Sequence, residues 1–263
     1  MIKLIVSDMD GTLLNDQKQI DDRIYALLPG MHKKGIRFVV ASGRQYPSLK
    51  KNFQEHLQDI VVIAENGAFV VQDTKELYYR GMTQAQLSLW LDAVAQLPDV
   101  EPLLCAKYCG YTHSKEMYDY LRSDPFYYDM VLVDDLHGIT EDVTKVSLIE
   151  RGGRGAQFCY DRLAPLLTEE MTLVISGDTC LDTGLKGVNK GSAVAALQQM
   201  WQIRPEETLV FGDQFNDVDM FDCAFYSYAM GNASREVRQR ARFVTGTNNE
   251  GAVVNVIREL TGL

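Results

Sequence analysis

Asp8 and Asp10 stand two residues apart, directly behind the apolar run Leu4-Ile5-Val6 and ahead of Gly11. The run reads as a buried strand and the glycine as its break. The first carboxylate can then project into a crevice while the second lies on the loop beyond, and in open parallel sheets ligands bind at the carboxyl ends of strands. Two more apolar runs end in polar groups of the same kind. Ile36 to Ala41 is followed by Ser42-Gly43-Arg44, and Thr208 to Phe211 by Gly212-Asp213-Gln214-Phe215-Asn216-Asp217. Lys190-Gly191 opens a helix between them. These residue types suit phosphoryl transfer. A carboxylate can attack phosphorus and divide a hard step into two. Asp8 and Asp213 can offer carboxylates, and Asp10 a backbone carbonyl, to Mg²⁺, which prefers a few oxygen ligands and offsets repulsion between nucleophile and phosphate. Lys190 and the Ser42 hydroxyl can hold the phosphate oxygens, and such positioning carries most of this chemistry. Taken singly, each part also reads as a turn, a helix cap or a solvated lysine. Their joint occurrence at strand ends is what selects the chemical reading.

The elements that must position these groups follow from periodicity. Ile24, Leu27, Leu28 and Met31 recur at helical spacing until Gly35. A helix is expected over 46–57, a strand over 60–63 ending in Ala64-Glu65-Asn66-Gly67-Ala68, and a hairpin from 69–71 and 76–79. Val194, Leu197 and Met200 are expected on one face of the helix that Lys190 opens, with short strands at 226–230 and 243–245 and a closing helix over 250–260. Strand–helix alternation predicts an α/β fold, a Rossmann-like doubly wound parallel sheet with right-handed crossovers. From about Thr83 the pattern changes to short alternating strands and helices, closed by strands at 173–176 and 179–182. The expected organisation is a core of 1–81 and 186–263 with an inserted α+β cap over 82–185.

Charge divides the chain in the same way. Residues 82–185 hold 7 basic and 17 acidic side chains, whereas the remainder holds 19 of each. So acidic a surface disfavours nucleic acid and anionic membrane. No apolar run approaches a membrane span, and no charged stretch followed by an apolar one marks a signal peptide. Cysteines 105, 109, 159, 180 and 223 are odd in number and lack zinc spacing, which predicts free thiols in a reducing cytoplasm. Lys145 is notable among so few basic residues, and is expected to reach the site from its strand and contact substrate. Acidic side chains in this block accept hydrogen bonds from sugar hydroxyls and repel further phosphates, which predicts monophosphorylated polyols as substrates.

The motif set as a whole resembles the haloacid dehalogenase superfamily, and within it the Cof-type phosphatases with a C2-type cap. Asp8-Met9-Asp10-Gly11-Thr12, Ser42-Gly43-Arg44, Lys190-Gly191 and Gly212 to Asp217 are similar to its four motifs in order. Asn66-Gly67-Ala68 and Lys186-Gly187-Val188-Asn189-Lys190-Gly191 are similar to segments typical of that branch. Gln214 departs from it, standing where a small residue is usual, and is expected to crowd the metal loop. The resemblance, strongest to bacterial sugar phosphatases, implies Mg²⁺-dependent hydrolysis of small phosphomonoesters through an aspartyl-phosphate. It implies Asp8 as nucleophile and Asp10 as general acid–base, with Ser42, Gly43 and Lys190 on phosphate and Asp8, Asp10 and Asp213 on the metal. Asn216 and Asp217 would support that loop, while Arg44, Glu65 and Asn66 would line the substrate side. A cytoplasmic monomer or weak homo-oligomer acting on a small molecule is expected. A phosphomutase and a non-catalytic sugar-phosphate-binding protein are the alternatives, and the retained acid–base Asp10 disfavours the second.

Overall fold

The computed structural model describes residues 1–122 and 129–263. In chain order the strands are β1 (Leu4–Asp8), β2 (Arg37–Ala41), β3 (Ile60–Ala64), β4 (Phe69–Gln72), β5 (Lys75–Tyr79), β6 (Val100–Ala106), β7 (Gly110–Thr112), β8 (Met130–Leu132), β9 (Val143–Glu150), β10 (Met171–Ile175), β11 (Cys180–Leu185), β12 (Thr208–Gly212), β13 (Tyr226–Ala229) and β14 (Phe243–Val244). The α-helices are α1 (Arg23–Lys33), α2 (Tyr46–Asn52), α3 (Gln84–Val94), α4 (Lys115–Leu121), α5 (Ala156–Leu163), α6 (Lys190–Trp201), α7 (Val218–Asp222), α8 (Arg235–Arg238) and α9 (Ala252–Thr261). Two compact units result, one of residues 1–43, 52–79 and 189–263, the other of 44–51 and 80–188.

The first unit holds an eight-stranded sheet in the order β14-β13-β12-β1-β2-β3-β4-β5. From β14 to β3 every pairing is parallel, and β3, β4 and β5 then pair antiparallel. β1 is buried at all five positions, as a central strand covered on both faces must be, which is why its sequence is a continuous apolar run. It lies between β2, which follows it, and β12, which comes some 200 residues later; the winding reverses at this point. α6 packs Ala193, Val194 and Leu197 into the core with Val39, Ile63 and Val210. The expected Met200 is 47% exposed instead, because the buried stripe runs through 190, 193, 194 and 197 and the helix ends at Trp201.

The second unit is built on a six-stranded sheet ordered β10-β11-β9-β6-β7-β8. Trp90, Leu91 and Leu87 of α3 bury against it with Val146 and Leu148, and the Trp90 indole N–H donates to Met171 Sδ at 3.0 Å. One expectation changes in detail, and two short elements were not expected. The helix expected over 46–57 stops at Asn52 and resumes as 3₁₀ turns over Gln54–Asp59, because Phe53 leaves helical geometry to bury its ring edge-on to Tyr25. The strand Gly110–Thr112 and the one-turn helix Arg235–Arg238 were too short to carry a period. All five cysteines are free, and among the described residues no helix is long and apolar enough to cross a membrane.

Candidate active site

The ends of β1 and β12 bring Asp8 and Asp213 together, and the head of α6 adds Lys190. Asp8 is the last residue of β1 and is buried. Its Oδ1 accepts from Lys190 Nζ at 2.6 Å, and the same ammonium donates to Asp217 Oδ1 at 2.7 Å. Lys190 is 1% exposed, so it is a core residue and not a solvated helix start. Asn189 fixes its place: its side chain accepts from Ser192 N–H at 2.7 Å while its own N–H donates to Ser192 Oγ at 3.1 Å. This reciprocal cap sets the first turn of α6.

Asp217 anchors the second loop. Its Oδ2 accepts from the backbone N–H groups of Asp213 and Gln214 at 2.9 and 3.0 Å, folding the turn that follows β12. Asp213 Oδ1 accepts from Thr12 Oγ1 at 3.0 Å, and its Oδ2 from Gln214 Nε2 at 3.3 Å. Gln214 is exposed, and its amide lies against the Asp213 carboxylate. Gly11 makes the loop beyond β1 possible. Its φ is +79°, and a Cβ there would collide with the Asp213 carboxylate, so both backbone and space require glycine.

Electrostatics distinguish this cluster from an ordinary ion pair. One ligand oxygen from each of Asp8, Asp213 and Asp217 lies within 4.8 Å of the others, against one ammonium. Burial and then Asp217 push the Asp8 carboxyl well above the usual carboxylate range, against the pull of Lys190. Burial likewise raises Asp213, partly offset by Thr12. For Lys190, burial acts to lower the pKa, but Asp8 and Asp217 together outweigh it and raise it. With all three ionised, the buried carboxylates outnumber the one ammonium by two. Asp8 Oδ2 is buried with no hydrogen-bond partner, a costly state for a charged oxygen. Hard oxygen donors, surplus charge and an orphaned oxygen together fit a small divalent cation.

The remaining expected residues fall in three places. The Asp10 carboxylate is not part of the cluster and meets Lys18 Nζ at 3.2 Å. Ser42 follows β2, with its N–H on Ile63 O and its carbonyl accepting from Asn66 N–H. Gly43 lies against the Asn66 side chain, a Cβ there being 3.1 Å from its amide, and Asn66 Oδ1 accepts from Asn216 Nδ2 at 2.9 Å. Glu65 and Asn66 both take positive φ, about 50° each, and Glu65 is buried. Arg44 and Lys145 belong to the other compact unit, where Lys145 Nζ meets Asp182 Oδ2 at 3.1 Å. Sequence reasoning did not single out Thr12 or Asn189. The Asn189-x-x-Ser192 spacing is a readable cap signal, whereas nothing in the sequence pairs Thr12 with a residue 201 positions away.

A parallel sheet with acidic loops at its switch point is a setting in which α/β enzymes bind ligands. The model of the haloacid dehalogenase-like hydrolases matches residues 5–257, and the chain belongs to that family. The 5-amino-6-(5-phospho-D-ribitylamino)uracil phosphatase YbjI of Escherichia coli strain K12 is 34% identical over 259 residues, covering 97% of this chain and 95% of that protein. The Bacillus subtilis strain 168 phosphatase YitU, named for the same substrate, is 27% identical over 275 residues, with 99% and 98% covered. A crystal structure of a Eubacterium rectale protein is similar with a TM-score of 0.91 at 27% identity, covering 98% of this chain and 99% of its own. The chain is a haloacid dehalogenase-type phosphatase.

Proposed function

We propose that this phosphatase hydrolyses small phosphomonoesters of sugars or polyols, with Asp8 as nucleophile and Mg²⁺ as cofactor. The observation that carries the reading is the buried cluster, in which Lys190 occupies Asp8 Oδ1 and Oδ2 has no donor bound to it. The buried Asp8 carboxylate would attack phosphorus through one oxygen and leave the other for the cation. The new O–P bond forms as the ester P–O bond breaks, and Asp10 gives its proton to the departing alkoxide. Water next attacks phosphorus, loses a proton to Asp10, and releases phosphate with the Asp8 carboxylate restored. Asp8, Asp213 and the Asp10 carbonyl would hold Mg²⁺, which when bound neutralises charge between nucleophile and phosphate. Ser42, Gly43 and Lys190 would bind the phosphoryl oxygens. Asn216 and Asp217 would support the loop, and Arg44, Glu65 and Asn66 would face the substrate.

The unit that contains 80–188 would act as a cap that selects the leaving group. The relatives named for 5-amino-6-(5-phospho-D-ribitylamino)uracil, a phosphorylated ribityl chain, support a polyol phosphate as the substrate class. Lys145 would contact it. The test separates the two aspartates. An activated leaving group needs little protonation, so Asp10→Asn should still take up phosphate from p-nitrophenyl phosphate and fail to release it. Intact-mass spectrometry after acid quench should find a phosphoryl adduct on Asp10→Asn and none on Asp8→Asn. A burst of p-nitrophenol without an adduct would overturn covalent catalysis by Asp8.

A further inference from the structure

We propose that Lys18 is a positioning residue for Asp10, held there by an asparagine clamp reaching from the far end of the chain. This rests on the reading of Asp10 as the acid–base above. Lys18 Nζ lies 3.2 Å from Asp10 Oδ1, with the lysine side chain 62% exposed and the aspartate 27%. An ion pair so open to water contributes little to stability. Lys18 also adopts φ +60°, a conformation that a side chain bearing a Cβ rarely takes. Such geometry persists only where neighbouring structure enforces it, and it gathers at working sites.

The enforcing structure is visible. Residues 14–20 form a tight hairpin: Leu14 bridges Ile20, Lys18 N–H donates to Asn15 O at 2.9 Å, and Gln19 N–H donates to Asn15 Oδ1 at 2.9 Å. A second bridge joins Asp10 to Leu14, so the hairpin base and the acid–base share one segment. Three asparagines of the C-terminal region then fix the hairpin. Asn248 and Asn249 donate to the two oxygens of Asp16 at 3.0 and 2.9 Å, and Asp16 N–H returns a bond to Asn249 Oδ1. Asn248 Nδ2 also reaches Leu14 O, and Asn232 Nδ2 holds Gly11 O at 2.8 Å while its Oδ1 accepts from Asn248 N–H. Hydrogen bonds over-determine the backbone on both sides of Lys18, and its ammonium, which also feels the Asp16 charge, meets Asp10 Oδ1.

The consequence is directional. An ammonium on Oδ1 restrains the rotation of the Asp10 carboxyl and so the direction in which it presents its proton to the leaving oxygen. Lys18 itself is unchanged in the step: the carboxyl O–H bond breaks as the O–H bond of the released alcohol forms. Losing this control should matter in proportion to how badly the leaving group needs a proton.

The test compares kcat/KM for phenyl phosphate and p-nitrophenyl phosphate in the full-length enzyme with Mg²⁺. Lys18→Met should slow phenyl phosphate about 10- to 30-fold and p-nitrophenyl phosphate less than about 3-fold, a fraction of what a full acid–base contributes. Lys18→Arg should recover most of the loss. Asn249→Ala should show the same selectivity more weakly. A purely structural role would slow both esters equally and lower the unfolding midpoint, and that result would overturn the proposal. Asp10→Asn is the control. If it is selective for the poor leaving group and Lys18→Met is not, the positioning role is wrong while Asp10 keeps its own. If Asp10→Asn is not selective, the acid–base reading fails and takes the Lys18 role with it.

Discussion

Lys190 and Lys145 each stand beside aspartates, one at the head of α6 and the other on β9, and the two settings differ in charge balance and in water. Around Lys190, both bonded carboxylates and the ammonium are buried, and Asp213 brings a third carboxylate close. Around Lys145, Asp182 has both oxygens engaged, by the ammonium at 3.1 Å and by Ser147 Oγ at 2.6 Å, with side chains about one-fifth exposed. The second grouping pairs one ammonium with one carboxylate in reach of water. The first is buried and sets three carboxylates against one ammonium, a balance that suits a cation. A lysine–aspartate contact says little by itself; the count of carboxylates per ammonium, and their burial, decides what the contact is for.

The comparison breaks most visibly at Lys190. Lys190→Met leaves buried carboxylates without their partner, and urea unfolding in the presence of a chelator should show a loss of about 3–5 kcal/mol at neutral pH. An effect below about 1 kcal/mol would mean that the carboxylates are already solvated, and the contrast would collapse. Asp8→Asn should act in the other direction. It removes one of the surplus charges, so the metal-free protein should become more stable while turnover with Mg²⁺ disappears. A stabilised but inactive variant is the mark of a site strained for function.

The same surplus has a pH signature. Asp8 and Asp213 have raised pKa values in the folded state. Between the ordinary carboxylate pKa and those raised values, the folded protein holds more protons than the unfolded chain, so stability falls as pH rises through that window. In chelator, the unfolding free energy should therefore increase as pH drops from neutral toward about 4.5. Asp8→Asn should flatten the trend, and Mg²⁺ should reverse it by competing with the protons. Glu207, paired with Lys3 and held down to about 2, behaves oppositely: its contribution is present above the ordinary glutamate pKa and is lost only as pH falls below it. A wild-type profile that is flat between 4.5 and neutrality would contradict the raised Asp8.

Lys145 carries the smallest expected effect on stability. Lys145→Ala removes a part-exposed pair worth under about 1 kcal/mol. Its kinetic effect sharpens the comparison: KM for sugar phosphates should rise far more than KM for p-nitrophenyl phosphate. Equal, small changes on both would leave Lys145 as an ordinary strand lysine tied to Asp182.

The sequence made the positions of the site legible to different depths. Asp8, Ser42 and Asp213 were readable because each ends an apolar run long enough to be a buried strand, and glycine marks the break. The role of Asp217 was only partly readable. Its spacing placed it in the loop, but that it clamps the loop with one oxygen and holds Lys190 with the other depends on a contact across 27 residues. The Asn66–Asn216 bond, across 150 residues, left no trace in any local pattern. For the same reason the Asp10–Lys18 contact was hidden. Lys18 lies eight residues away in what reads as a polar turn, and its direction is set by asparagines near the other terminus.

The placement of β1 between β2 and β12 has a consequence for how the chain is made. Ribosomes supply residues at roughly 5–20 per second, so about 10–40 s separate the emergence of β1 from that of β12. In that interval β1 can gain β2 as a neighbour, but its other edge, which will pair with β12, has no partner. An open, apolar strand edge invites the wrong partner. The intervening segment of 80–188 has its own hydrophobic core to form in the meantime. The buried carboxylate cluster is thus among the last features the nascent protein acquires: a chain stalled before Thr208 carries Asp8 but neither Asp213 nor Asp217, and should bind no phosphate analogue.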